Sequence, residues 1–206
     1  MSPKNSMNNF LRDFFYHPVN IISFVSWVLR GKEGYPPHIA KVRRINEIQN
    51  IFQYDTFIET GTYMGDMINA QKKNFSVLHT IEFSHDLAER ARRKFKHNKN
   101  IHVYEGDSGK VLREIMHSIM VPSVFWLDAH YSGGVTKKGD LDTPIIAELR
   151  AICRSNNLPH VILIDDARLF TGKKDYPTIK AVVSLVRKYR KKTHVYVKDD
   201  IVHIFI

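Results

Sequence analysis

The chain has 206 residues, 43% of them hydrophobic and 25% charged, with 31 Lys and Arg against 21 Asp and Glu for a net charge of +10. Such a composition suits one soluble globular domain with a short appendage, and its charge favours acidic partners such as nucleotides, phosphorylated sugars, nucleic acid or an anionic membrane. Cys153 is the only cysteine, which excludes a disulfide within the chain and points to a reducing, cytoplasmic compartment.

Residues 1–50 read as an appendage. Ser2 to Asn9 is polar, and Phe10 to Leu29 is rich in apolar residues but interrupted by Pro18, Asn20, Ser23 and Ser26. It falls short of the roughly 20 apolar residues that a bilayer span requires. Arg30-Gly31-Lys32-Glu33 follows where a leader would be cleaved, which argues against a signal peptide. Two readings stay open for residues 10–29: a helical cap or homodimer surface, and an interfacial helix on a membrane with Lys and Arg at its edges. Gly34-Tyr35-Pro36-Pro37 breaks the segment, and a helix over 37–51 leads into the main domain, residues 51–206.

Asp55 to Gly65 reads Asp-Thr-Phe-Ile-Glu-Thr-Gly-Thr-Tyr-Met-Gly, a short apolar strand that turns at Gly61 into a helix over 64–73. Gly61 frees the backbone at the turn, and Gly65 allows close helix packing. A helix opening here aims free N–H groups at the turn. Glu59 nevertheless puts a carboxylate in the same crevice, which suits an ammonium-bearing ligand better than a phosphate. The spacing is ExGxxxG, and neither GxxxxGKS/T nor GxGxxG is present.

Strands and helices then alternate, as in a parallel sheet covered on both faces. Strand two, 77–82, ends in Glu82, about 20 residues after the glycine turn, where a carboxylate can accept ribose hydroxyls. A helix over 84–97 has Leu87, Ala88, Ala91 and Phe95 on one face. Strand three, 101–105, leads into Gly106-Asp107-Ser108 and a helix over 108–120. Strand four is 123–127; the next helix begins at Asp142 or Thr143 with Pro144 in its first turn, and Cys153 sits on its apolar face as a buried thiol. Strand five is 161–164 and the last helix 177–189. Residues 194–198 and 201–206 form a hairpin through Asp199-Asp200. The expected fold is α/β, a Rossmann-like doubly wound sheet of seven strands, mostly parallel with an antiparallel C-terminal hairpin strand. The basic runs 90–99 and 187–192 lie on surface helices without interleaved aromatics, so nucleic acid is not an expected partner.

Chemistry belongs at the carboxyl ends of strands four and five. Strand four ends in Leu127-Asp128-Ala129-His130-Tyr131 and strand five in Asp165-Asp166-Ala167-Arg168. Three carboxylates at adjacent strand ends repel one another, so a divalent cation or a basic partner is expected. The alternative keeps Asp165 and Asp166 as turn caps paired with Arg168, and Asp128 paired with Lys137 or Lys138. The glycine-containing loop from Tyr131 to Leu141 is positioned as a substrate gate.

The ExGxxxG turn, the acidic end of strand two and the Gly106-Asp107-Ser108 corner resemble the Rossmann-like S-adenosylmethionine-dependent methyltransferases. Asp128, Asp165 and Asp166 narrow the resemblance to the cation-dependent O-methyltransferases of the catechol and antibiotic-sugar type. The resemblance implies S-adenosylmethionine held by Glu59, Gly61, Tyr63, Gly65, Glu82, Phe83, Asp107, Ser108 and Asp128. It also implies Mg²⁺ or Mn²⁺ on Asp128, Asp165 and Asp166. The catechol enzymes carry a catalytic lysine three residues after the strand-four aspartate, where this sequence has Tyr131; His130 then becomes the candidate base, with Asp128 second. The implied reaction is methylation of a hydroxyl on a sugar-like or diol small molecule or glycan. The rivals are an RNA methyltransferase, motivated by charge but lacking an Asn-Pro-Pro-Tyr motif after strand four, and a non-catalytic binding module.

Overall fold

The computed structural model describes residues 18–128 and 143–206. The chain divides into two compact units, Met1–Ile51 and Phe52–Ile206.

In the first unit, helix α1 spans Pro18–Leu29 and α2 spans His38–Phe52. Pro18, Asn20, Ser23 and Ser26, which interrupt the apolar run in sequence, all lie within this helix. Pro18 opens the helix, where its missing N–H costs nothing, and the other three ride within it. The helix stops at a Schellman turn: Lys32 N donates to Trp27 O and Gly31 N to Val28 O, with Gly31 at φ 70. Trp27 is buried, with Phe24 6.1 Å away and the Lys32 ammonium 5.5 Å over its ring.

The second unit is one seven-stranded sheet in the order β3-β2-β1-β4-β5-β7-β6. Its strands are β1 Thr56–Thr60, β2 Val77–Glu82, β3 Ile101–Glu105, β4 Ser123–Leu127, β5 Val161–Ile164, β6 His194–Lys198 and β7 Ile201–Phe205. β1 to β5 are parallel; β7 runs antiparallel between β5 and β6. Every residue of β1, β4 and β5 is buried, as expected of central strands covered on both faces. Asp199 and Asp200 take φ values of 52° and 60°, the double left-handed turn that matches the twist of a two-residue hairpin.

The helices are α3 Asp66–Gln71, α4 His85–Phe95, α5 Ser108–Ile115, α6 Ile145–Ser155 and α7 Ile179–Tyr189. Each is shorter than its sequence pattern, which for α5 runs on through Met116 and Ile119, both buried in the turn after the helix. α3 starts two residues late for a specific reason. Gly65 sits at φ 71 ahead of it, and a Cβ there would stand 2.9 Å from the Phe95 ring. α5 and α6 approach just as closely, since a Cβ on Gly109 would meet the Ala147 methyl at 2.5 Å. The strand order reverses between β1 and β4, which places a crevice at their carboxyl ends.

Candidate active site at the carboxyl edge of the sheet

The β1–α3 turn is built from three left-handed residues, Gly61 at φ 82, Tyr63 at φ 48 and Gly65 at φ 71. Left-handed backbone at non-glycine Tyr63 is uncommon and is held from outside. The holder is Glu82 at the end of β2: one carboxylate oxygen accepts from Tyr63 N at 2.8 Å and the other from Ser84 N at 2.9 Å. Those two bonds fill about half of the carboxylate's acceptor capacity. Glu82 is thus fixed in orientation with lone pairs to spare, while Tyr63 and Phe83 beside it keep exposed rings.

Glu59 lies one residue before the end of β1 and is only 2% exposed. Thr80 Oγ1 donates to it at 2.6 Å and in turn meets Thr62 Oγ1 at 2.6 Å. Burial, and then the Asp128, Glu82 and Asp66 carboxylates, push Glu59 well above the ordinary carboxylate range, against the Thr80 hydrogen bond. Asp107 caps α5 by accepting from Lys110 N at 3.0 Å. Ser108 is buried, and its hydroxyl donates to Glu148 at 2.6 Å.

Glu148, on α6 and 1% exposed, was not among the residues singled out from sequence. It was findable: Ile145, Glu148, Leu149 and Ile152 share one helix face, and a lone acid on an apolar stripe asks for a partner. Desolvation, with Asp107 and Asp128 adding repulsion, raises it to about 7 despite the opposing Ser108 and Thr60 hydroxyls. The Ser108 contact is a hydrogen bond, whereas Thr60 Oγ1 is near without meeting that geometry. Glu148 therefore stands where the walls of the crevice meet: the end of β1, the β3–α5 corner and the end of β4.

On the other side of the crevice, Asp128 N donates to Thr60 O at 3.1 Å and Asp165 N to Leu127 O at 3.0 Å, so both acidic residues continue the strand ladder. Asp166 turns away in left-handed backbone, φ 55. Its carboxylate accepts from the Arg168 guanidinium at 2.8 Å, and the same guanidinium pairs with Asp200 in the β6–β7 turn. Asp200 also accepts from Arg168 N at 2.8 Å, and its carbonyl from Ala167 N at 2.8 Å.

Among the described residues, no three His, Cys, Asp or Glu side chains gather as a metal-binding group. The donor chemistry gives the reason: Asp166 is already neutralised by an arginine, the basic partner that was the alternative to a metal. His130 and the 131–141 loop lie outside the described residues.

No protein-family model matches the chain, and no curated protein matches it in sequence. Solved structures do match. The O-methyltransferase from Bacillus cereus, in complex with SAH, is similar over 100% of this chain and 92% of its own at a TM-score of 0.57 and 13% identity. The Streptomyces achromogenes O-methyltransferase TomG, involved in tomaymycin synthesis and solved with SAM, covers 92% of this chain and 89% of its own, at 0.56 and 14%. The SAH-bound Podospora anserina methyltransferase PaMTH1 covers 80% and 76%, at 0.55 and 15%. The fold is that of the S-adenosylmethionine-dependent O-methyltransferases. Seven strands, mostly parallel with an antiparallel strand in the C-terminal hairpin, agree with the arrangement expected from the sequence.

Proposed function

We propose that the chain is an S-adenosylmethionine-dependent O-methyltransferase acting on a hydroxyl of a small molecule, sugar-like or a vicinal diol. One observation carries the reading. The acid that ends β2 is pinned by two backbone N–H groups of the glycine turn and its neighbour, inside a sheet with the methyltransferase strand order.

The residues fit the cofactor. Glu82, oriented and half-satisfied, can accept the two ribose hydroxyls; Phe83 offers a ring face to adenine, with the Asp107 corner beyond it. Glu59, enclosed and pushed towards its neutral form, gains an ionic partner if an ammonium group enters the Gly61 turn. The cofactor supplies an electrophilic methyl group on a sulfonium. The chain's part is then alignment and proton removal. In this reading Asp128, directly after β4 beside the crevice, takes the proton of the attacking hydroxyl, with His130 the neighbouring candidate. No step is assigned to a metal, because Arg168 already holds Asp166.

Calorimetry with S-adenosylmethionine, followed by labelled methyl transfer to sugars, nucleotide sugars, glycolipids and catechols, tests the reading. We expect cofactor binding, transfer to a diol-bearing acceptor, and activity that persists in excess chelator. Absence of cofactor binding would remove the enzyme assignment; loss of activity in chelator would restore the cation.

A further inference from the structure

Helix α1 buries one side and exposes an apolar stripe on another, with Ser23 and Ser26 between them. Trp27 packs inward at 2% exposure, next to Phe24, whose ring lies 5.7 Å below the Arg43 guanidinium. The opposite side carries Ile22 at 68%, Val25 at 47%, Val28 at 41% and Leu29 at 81% exposure. At 100° per residue these four fall within an arc of about 120°, one continuous stripe along the helix. A soluble surface helix places charged and polar residues there, so the stripe marks a contact surface. Tyr35, 75% exposed, lies just beyond the helix end, and Arg30 and Lys32 flank it.

Charge decides between occupants. Residues 18–51 hold five basic residues (Arg30, Lys32, Lys41, Arg43, Arg44) and two acidic ones (Glu33, Glu47), leaving +3. A second copy of the chain would bring the same positive unit against itself, since a twofold contact is self-complementary. An anionic lipid surface brings the opposite sign. At 12 residues α1 is about 18 Å long, against an apolar core of about 30 Å. No helix among the described residues is long and apolar enough to cross a membrane. The geometry that remains is a helix lying in the plane of the interface.

We propose that the outer face of α1 is a lipid-docking surface for anionic bilayers, with Ile22, Val25 and Leu29 immersed below the headgroups and Arg30 and Lys32 on the phosphates. This holds whatever reaction the second unit catalyses. The test is flotation of the full chain with phosphatidylcholine vesicles and with vesicles that also contain phosphatidylserine. The parent should float with the phosphatidylserine vesicles alone, and less at high salt. Ile22→Ser with Leu29→Ser should weaken partitioning about a hundredfold. Arg30→Gln with Lys32→Gln should weaken it about thirtyfold. The Ile22 and Leu29 side chains are exposed, so thermal melting of Ile22→Ser with Leu29→Ser should match the parent and separates a docking loss from a folding loss. A parent that stays unbound to phosphatidylserine vesicles overturns the proposal. So does a dimer, seen in sedimentation, that Ile22→Ser with Leu29→Ser turns into a monomer, which would assign the face to self-association.

Discussion

On the β1–β2–β3 side of the carboxyl edge, the three acids that line the crevice are held by neutral donors, Glu82 by two backbone N–H groups, Glu59 by the Thr80 hydroxyl and Asp107 by Lys110 N, while Glu105 at the end of β3 pairs outward with Arg92 and His85. On the β5–β7 side, Asp166 and Asp200 share one guanidinium, and the backbone of Ala167 and Arg168 is tied to Asp200 as well. The two regions have acids in similar positions and use them differently. A carboxylate held by neutral donors keeps spare lone pairs for an incoming ligand. A carboxylate already matched by arginine is spent on holding the chain, here the last hairpin against the end of β5. The first side is therefore the binding half, and the second, from Asp166 to the last hairpin, is a scaffold.

The largest expected effect lies where the halves meet, at Glu148. Its folded-state value is about 7 against an ordinary 4.5, the principal cause being burial. The folded chain keeps this proton between those limits and the unfolded chain does not. The stabilising contribution is therefore complete below about pH 4.5 and is lost as pH rises through 7, a change of about 3 kcal/mol. Urea melts at pH 5 and pH 8 should show this decline in the parent and a flatter profile in Glu148→Gln, which keeps an acceptor for Ser108 and cannot ionise. Equal declines in the two proteins would place the titration elsewhere, with Glu59 the first suspect.

Next in size is Arg168→Ala, which strips a guanidinium from two partly buried carboxylates and should cost about 2 kcal/mol in the same melts. Arg168→Lys should recover less than half, because a single ammonium cannot fork between Asp166 and Asp200. Full stability in Arg168→Ala, together with newly acquired Mg²⁺ binding, would show that the scaffold half is a cation site after all.

What was legible in the sequence follows from how local each signal is. β2, β3, β4 and β5 stand where their apolar runs predict, because each run is bounded by Gly, Pro, Asp or Glu within a residue or two. Gly61 and Gly65 do take left-handed backbone, and Cys153 is buried on its helix face. The Arg168–Asp200 pair spans 32 residues and joins a strand end to a hairpin turn, so no local pattern marks it. Glu148 stands out as a lone acid on an apolar helix face, but no local pattern names its partner, Ser108, 40 residues away.

The binding half is tested directly by Glu82. Glu82→Ala should weaken cofactor affinity by about 1.5 to 3 kcal/mol in calorimetry, through lost hydrogen bonds to the ribose and a loosened Tyr63 turn. Glu82→Gln should fall in between, since its amide oxygen still accepts one of the two N–H groups but carries no charge. If both variants bind as tightly as the parent, Glu82 is only the fastener of the glycine turn and not a ligand.

The smallest effect concerns how rigidly the two halves are joined. Gly109 on α5 and Ala147 on α6 stand so close that a methyl on Gly109 would be 2.5 Å from the Ala147 methyl. The Ser108–Glu148 hydrogen bond sits at the same junction, one residue along each helix. Gly109→Ala gains up to about 1 kcal/mol of helix propensity, but overpacking costs about 1 to 3 kcal/mol, so the net expectation is a loss of about 1 kcal/mol. Moving the methyl across, in Gly109→Ala with Ala147→Gly, should restore the spacing, and the double variant should be more stable than the two single changes add up to. A Gly109→Ala protein that melts above the parent would mean the helices can part at little cost, and that Ser108 and Glu148 are not held as closely as their 2.6 Å contact implies.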